Sequence, residues 1–110
     1  MKIKEFYHLT NLHCLNPELI DEREISGVFI GDLLSWVMGN AEAEQIWITV
    51  QSHLNVIAVA SLKEMDAIIL AQGAKLDEEV LNKANEEKLI IFTSDLPAYS
   101  IAKICSELGL

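Results

Sequence analysis

Three short apolar runs in the second half of the 110-residue chain constrain its fold most strongly. They cover residues 46–50, 67–70 and 89–92, and neighbouring positions in each run are apolar instead of alternating with polar ones. Strands that are apolar on both faces belong in a sheet covered by helices on both sides. Helical patterns follow each run, which implies parallel strands joined by right-handed crossovers. The sequence therefore predicts an α/β fold, a three-layer α/β/α sandwich with a mostly parallel sheet.

The first half of the chain has a weaker pattern. We expect a short helix at 4–12 and a strand at 25–30. Asp32 follows Gly31 at a turn and should cap a short helix that ends near Gly39. No linker or low-complexity segment divides the chain, so we expect a single domain over residues 1–110.

The charge balance argues against two classes of partner. Seventeen acidic residues face eight basic ones, which gives a net charge of -9. Nucleic-acid phosphates need clustered Lys and Arg, and anionic membranes attract basic segments. We therefore expect neither nucleic acid nor a membrane as a partner. Because no signal peptide and no apolar run of about 18 residues is present, we expect a cytoplasmic location.

The cysteines and histidines do not predict a metal site. Cys14 and Cys105 are the only thiols and form no CxxC pair, whereas an iron–sulfur cluster or a structural zinc normally takes four ligands. His8 and His13 have no companion ligands nearby in the sequence. We expect no metal and no cofactor.

Polar residues cluster where the predicted strands end, which is the edge at which open parallel sheets usually bind ligands. The candidate ligand-binding residues are Gly31, Asp32, Thr49, Gln51, Ser52, His53, Asn55, Thr93 and Ser94. Because parallel strands end at the same edge, we expect one shared depression there. Its predicted lining is Gln51, Ser52, His53 and Asn55, with Gly31, Asp32 and Thr93 nearby. Helix N-termini there favour an anion, so the expected ligand is a nucleotide or another phosphorylated small molecule.

His53 and Asp32 each allow more than one interpretation. His53 can donate a hydrogen bond to a bound anion, or it can pack against a neighbouring turn while Ser52 or Asn55 caps the helix. Asp32 can act as a general base or a magnesium ligand, although the Gly-Asp turn fits a helix cap best.

A hydrolytic triad is the sharpest catalytic interpretation of the same residues. Asp32, His53 and Ser94 supply the required side-chain types, and the triad needs a specific geometry. No GxSxG elbow accompanies them, and no P-loop of the form GxxxxGK[ST] is present. We therefore predict no catalytic residue.

The two tryptophans have different expected places. Trp47 lies in the middle of an apolar strand and should be part of the core. Trp36 lies on the short helix beside Val37, where it is either a residue at the edge of the core or a contact with a partner.

Three segments resemble the DRTGG domain family. They are ISGVFIGDLLSWVMGNA (25–41), IWITVQSHLNVIAVASLKEMDAIILAQG (46–73) and LIIFTSDLPAYSIAKICSELG (89–109). The resemblance implies a fold similar to the N-terminal domain of HPr kinase/phosphorylase. It also implies a regulatory or dimer-forming module that accompanies catalytic domains. Gln51-Ser52-His53-Leu54-Asn55 stands where the family's name motif should fall, so a role attached to that motif does not carry over.

The sequence and the resemblance together favour a non-catalytic regulatory or ligand-binding module that self-associates, as a homodimer or larger. Stand-alone proteins similar to this one imply a first alternative, an accessory subunit of an iron-only hydrogenase or NADH-dehydrogenase-like redox complex. A second alternative is a small enzyme that uses the strand-end edge.

Overall fold

A computed structural model describes all 110 residues, Met1–Leu110. The first half of the chain forms α1 (Ile3–Thr10), β1 (His13–Cys14), a 3-10 turn (Pro17–Leu19), β2 (Gly27–Ile30) and α2 (Leu34–Asn40). The second half forms β3 (Gln45–Thr49), α3 (Leu54–Leu62), β4 (Ala67–Leu70), α4 (Glu78–Glu86), β5 (Ile90–Thr93) and α5 (Ala98–Glu107). None of the helices combines the length and the apolar character that crossing a membrane requires.

The five strands form one sheet in the order β1-β5-β4-β3-β2. Strands β2 to β5 are parallel to one another, and β1 pairs antiparallel with β5 at one edge. The predicted α/β fold with a mostly parallel sheet is therefore confirmed. The β1 strand is an addition, because its two residues are too few to show a periodic pattern.

Helices cover both faces of the sheet. Helices α1 and α5 pack on one face, where Phe6, Ile101 and Cys105 meet Ile46 and Ile48 of β3. Helices α2, α3 and α4 pack on the other face, because right-handed crossovers between strands that follow one another across a sheet all fall on the same side. Trp47 belongs to this second core and is fully buried, as predicted.

Two predicted helix caps are corrected by the structure. Asp32 does not cap α2, because Leu33 occupies the N-cap position and no side chain bonds the first turn. In α3 the cap is neither Ser52 nor Asn55: His53 is the N-cap residue, and its Nδ1 accepts a hydrogen bond from the Asn55 N–H at 3.2 Å. Asp32 instead accepts hydrogen bonds from the Thr49 hydroxyl and the Val50 N–H at the end of β3. Thr49 is buried, and a buried donor without an acceptor costs more free energy than an N–H at an exposed helix start.

A buried asparagine fixes β1 beside β5. The Asn16 side chain donates from Nδ2 to Asn85 Oδ1 and to the Leu89 carbonyl, both at 2.9 Å. Its Oδ1 accepts from the Ile91 N–H at 2.9 Å. These bonds hold the β1 segment against the sheet, and they thereby place His13 level with Thr93 at the carboxyl edge.

Candidate functional site

The structure places all nine predicted ligand-binding residues at the carboxyl edge of the sheet but divides them into two groups. Gly31, Asp32, Thr49, Gln51, Ser52, His53 and Asn55 lie at the ends of β2 and β3, whereas Thr93 and Ser94 lie at the end of β5. Neighbouring strands are about 4.8 Å apart, so the end of β2 is about 14 Å from that of β5. No single depression contains both groups.

Asp32 and Thr49 use their hydrogen-bonding groups within the protein. Thr49 is 2% exposed, and its hydroxyl donates to Asp32 Oδ1 at 2.8 Å. The same carboxylate oxygen accepts from the Val50 N–H at 3.0 Å, and Trp47 Nε1 donates to the Gly31 carbonyl at 2.8 Å. These bonds tie the ends of β2 and β3 together, which is a structural role.

The turn between β3 and α3 is open and polar. His53 Nδ1 is an acceptor for the Asn55 N–H, so a neutral ring carries its proton on the exposed Nε2. The side chains of Gln51, Ser52 and Asn55 form no hydrogen bond within the chain. The turn can therefore offer donors to a ligand, but it lines no concave site apart from Leu54, which borders a groove beside α4.

The hydrolytic triad is not assembled. Asp32 accepts hydrogen bonds at the end of β3. His53 Nδ1 accepts a hydrogen bond from the Asn55 N–H, whereas a triad requires Nδ1–H to donate one to the acid. Ser94 lies two strands away, and its hydroxyl accepts from the Leu96 N–H at 3.1 Å.

A depression of about 480 Å³ lies at the other end of the same edge. Its lining comes from β1, from the end of β5 and from the loop between β4 and α4: His13, Leu15, Gly73, Ala74, Lys75, Leu76, Thr93, Ser94 and Asp95. Small-molecule sites usually measure roughly 300–1,000 Å³ and favour strand ends of this kind. We call it the β5-end depression.

Gly73 lets the β4–α4 loop approach the turn after β5. Its N–H donates to the Ser94 carbonyl at 2.9 Å, and the Gln72 N–H donates to the Leu96 carbonyl at 2.9 Å. Gly73 has φ +73°, and a Cβ there would lie 3.2 Å from Asp95 Oδ1. A glycine satisfies both conditions, so the loop and the turn form a fixed wall of the depression.

A second depression, of about 530 Å³, lies on the other side of β1 and shares His13 with the first. Its remaining lining residues are Tyr7, His8, Asn11, Leu12, Cys14 and Pro17. The Tyr7 and His8 rings lie 5.4 Å apart between centroids. His8, His13 and Lys75 thus surround two adjoining concave surfaces in a chain that has only eight Lys and Arg residues.

The sequence did not identify His13 or Lys75 as site residues. His13 belongs to a two-residue strand, and Lys75 to a loop that follows β4. In the sequence, these two residues stand out only because their side chains can carry a positive charge. Many surface residues without a functional role share that property.

The thiols are structural. Burial raises the pKa of Cys105 to about 11, and it raises that of Cys14 against an opposing hydrogen bond with Asn16. Both thiols are therefore poor nucleophiles. No group of three or more His, Cys, Asp or Glu side chains is arranged to hold a metal ion.

Trp36 lies outside the core. It is 62% exposed on α2, whereas its neighbour Val37 is fully buried against the sheet. Leu33 and Ile30, which precede it, are 68% and 51% exposed. An apolar surface therefore surrounds the start of α2.

A solved structure with a similar fold comes from the regulatory region of another protein. That chain contains the CBS and DRTGG domains of the regulatory region of Clostridium perfringens pyrophosphatase, complexed with the activator diadenosine tetraphosphate. The TM-score is 0.69 at 10% sequence identity, and the match covers 94% of this chain and 45% of that chain. This chain thus spans less than half the length of its structural neighbour.

The sequence matches no protein-family model and no curated protein. The structural similarity nevertheless covers almost the whole chain, with the strand order and layers described above. The chain therefore has a DRTGG-like fold, as its sequence resemblance predicts.

Proposed function

We propose that this chain is a non-catalytic regulatory module that binds a nucleotide or another phosphorylated small molecule and associates with itself. The β5-end depression carries the proposal, because it is a concave site at the ligand-binding edge of the sheet with a lysine in its wall. The bound ligand would act by stabilising one conformation or assembly state of the module.

The lining of the depression suits a phosphate group of modest charge. Lys75 supplies an ammonium group, His13 an imidazole, and Thr93 and Ser94 supply hydroxyls. Asp95 lies in the same wall and would repel a highly charged anion, so a mono- or diphosphate fits better than a longer chain. The second depression offers the Tyr7 and His8 rings, against which a base can stack.

The structural neighbour supports the regulatory class of this proposal. The regulatory region of that protein is complexed with a nucleotide activator. The fold of this chain matches 45% of the length of that region. Because that region contains two kinds of domain, the position of the ligand in this chain is argued from its own depression and not from the neighbour.

The turn from Gln51 to Asn55 is the second candidate contact surface, together with Gly31 and Asp32 beside it. Its support is the exposed His53 Nε2 and the unbonded side chains of Gln51 and Ser52. The two alternative functions, a redox-complex subunit and a small enzyme, have no feature of the structure that favours them.

A thermal-shift screen of the full chain against nucleotides and phosphorylated metabolites tests the proposal. A ligand present at 100 times its Kd stabilises the protein by about 2.7 kcal/mol. For a chain of this length that raises the Tm by about 10 °C. We expect Lys75→Ala to abolish the shift and Lys63→Ala, the removal of a lysine at the end of α3, to leave it unchanged. A shift that His53→Ala abolishes and Lys75→Ala retains would move the site to the turn. No shift with any compound would contradict ligand binding.

A further inference from the structure

The free edge of β2 is an unfinished sheet edge. β2 is the last strand in the order β1-β5-β4-β3-β2, so nothing pairs with its outer side. The Ser26 N–H donates to the Glu44 carbonyl on the β3 side. At the other end of the strand the Gly31 N–H donates to the Ile48 carbonyl of β3 at 3.2 Å. Because backbone groups alternate in direction along a strand, those of Phe29 also face β3, and those of Val28 and Ile30 point away from it. These groups are available to another strand.

The outer side is already used for pairing just before β2 begins. The Ile25 N–H donates to the Met1 carbonyl at 2.8 Å, and the Ile3 N–H donates to the Arg23 carbonyl at 2.9 Å. Lys2 and Glu24 form an antiparallel bridge there. The edge therefore has strand geometry, and its pairing stops where β2 itself starts.

The surface around this edge is poor in charge. Asp32 is the one charged residue between Glu24 and Glu42, and its carboxylate is bonded to Thr49 and Val50. Exposed apolar side chains occupy the same stretch: Ile30, Leu33, Trp36 and Met38. Contact cores of protein interfaces are depleted in charge and enriched in aromatic residues and Met. In a chain of net charge -9, a charge-poor surface is where two copies can meet without mutual repulsion.

We infer that β2 of a second copy covers this edge, in antiparallel register about a two-fold axis at Val28. The outward N–H and carbonyl groups of Val28 then bond those of Val28 in the second copy, which joins two five-stranded sheets into one of ten strands. The inference rests on the proposed self-association and names its surface. The two-fold axis also brings the apolar surfaces around Trp36 of both copies to the same interface.

A second copy fits better than an unrelated protein because the edge is self-complementary. In a two-fold dimer the same patch serves both partners, and an antiparallel pair of identical strands satisfies this condition directly. A standard interface takes about 800 Å² from each partner, roughly a seventh of the 5970 Å² surface of this chain. Residues 26–40 make up a similar share of the chain.

Cross-linking of the full chain through a single new cysteine tests the register. In the inferred dimer Val28 faces Val28 of the second copy as a hydrogen-bonded pair, where the Cα atoms are about 5.5 Å apart, a separation that a disulfide can span. We expect Val28→Cys to convert most of the protein to a covalent dimer under mild oxidation. Leu62→Cys, which exposes a thiol at the end of α3, should give at least tenfold less dimer, and the native chain should give none because Cys14 and Cys105 are buried.

Light scattering provides a second test that does not depend on the cysteine variant. The native chain should have twice the monomer mass of 12.3 kDa at tens of micromolar, and Ile30→Lys should return it to the monomer mass. A monomeric native chain, an Ile30→Lys variant that stays dimeric, or equal cross-linking of the two cysteine variants would overturn the inference. The nucleotide-induced Tm shift is measured on Ile30→Lys as well, so that a failed interface and a failed ligand site are told apart.

Discussion

Asp66 is a buried carboxylate with no protein partner. It is 7% exposed, and its Oδ2 makes no hydrogen bond. Burial raises the pKa of Asp66 from 3.8 to about 6, against the Arg23 guanidinium, which lowers it, and with Glu44 and Asp21 adding to the rise. The folded state thus binds this proton more tightly than the unfolded state does. The contribution of Asp66 to the free energy of unfolding therefore falls as the pH rises from about 4 to about 6.

Replacing this carboxylate should stabilise the protein at neutral pH. We expect Asp66→Asn to raise the free energy of unfolding at pH 8 by about 1–2 kcal/mol, because it removes the cost of a buried charge, and to change it little at pH 4. Urea unfolding at both pH values measures the effect. Glu42→Gln, at an exposed position, is the control and should show no such pH dependence. The same gain at both pH values would refute the assignment.

Asn16 is the opposite case, a buried polar side chain with its bonds satisfied. Asn16→Ala leaves the Ile91 N–H and the Leu89 carbonyl without these partners, so we expect the free energy of unfolding to fall by about 2–3 kcal/mol. Asn82→Ala, at an exposed position on α4, should change it by less than about 0.5 kcal/mol. Denaturant titration measures the free energy of unfolding of both variants. Equal free energies for the two variants would show that the Asn16 hydrogen bonds do not hold β1 against the sheet.

At the scale of elements, the sequence predicts best where the apolar pattern is longest. The buried strands β3, β4 and β5 and the helices between them follow the predicted order, because continuous apolar runs and helix periodicity are local signals. Helix α3, one of the helical patterns predicted to follow an apolar run, begins at Leu54 and ends at Leu62. β1 could not be predicted, since its two residues owe their conformation to pairing with β5, about 80 positions away.

Two glycines in different elements should respond to alanine with opposite signs. Gly39 lies inside α2 with nothing near an added Cβ, so Gly39→Ala should stabilise the protein by about 0.5–1 kcal/mol. Gly73 has a positive φ and a close Asp95 oxygen, so Gly73→Ala should destabilise it by about 1–2 kcal/mol. Thermal unfolding of the pair measures both, and a stabilising Gly73→Ala would show that the loop is not held in this conformation.

Helix α2 presents the exposed Trp36, and we expect this side chain to contribute to association between copies. We expect Trp36→Ala to weaken the dimer about tenfold, because exposed aromatic side chains at the centre of an interface commonly contribute more than 1 kcal/mol. Tyr99→Ala provides a matched control, since Tyr99 is exposed on α5, on the other face of the sheet. Analytical ultracentrifugation across a dilution series measures the dimer dissociation constants of the two variants. Equal dissociation constants would place the interface elsewhere.

At the scale of the whole molecule, the predicted residues lie at one edge of the sheet, but they do not share one depression. The polar turn from Gln51 to Asn55 is conspicuous in the sequence, yet the structure forms its concave site at the end of β5. That site joins His13, Lys75 and Ser94, whose proximity depends on the strand order and on the antiparallel β1. Strand order is a property of the folded chain, and no local pattern of residues encodes it.

An amide-resolved NMR titration of the full chain with adenosine diphosphate, with inorganic phosphate as a parallel probe, tests the central proposal most directly. The account predicts saturable shifts that are largest at the amides of His13, Gly73, Lys75 and Ser94, with further shifts at Tyr7 and His8 for the nucleotide alone. Shifts confined to residues 51–55, or none at millimolar ligand, would contradict a ligand site at the β5-end depression.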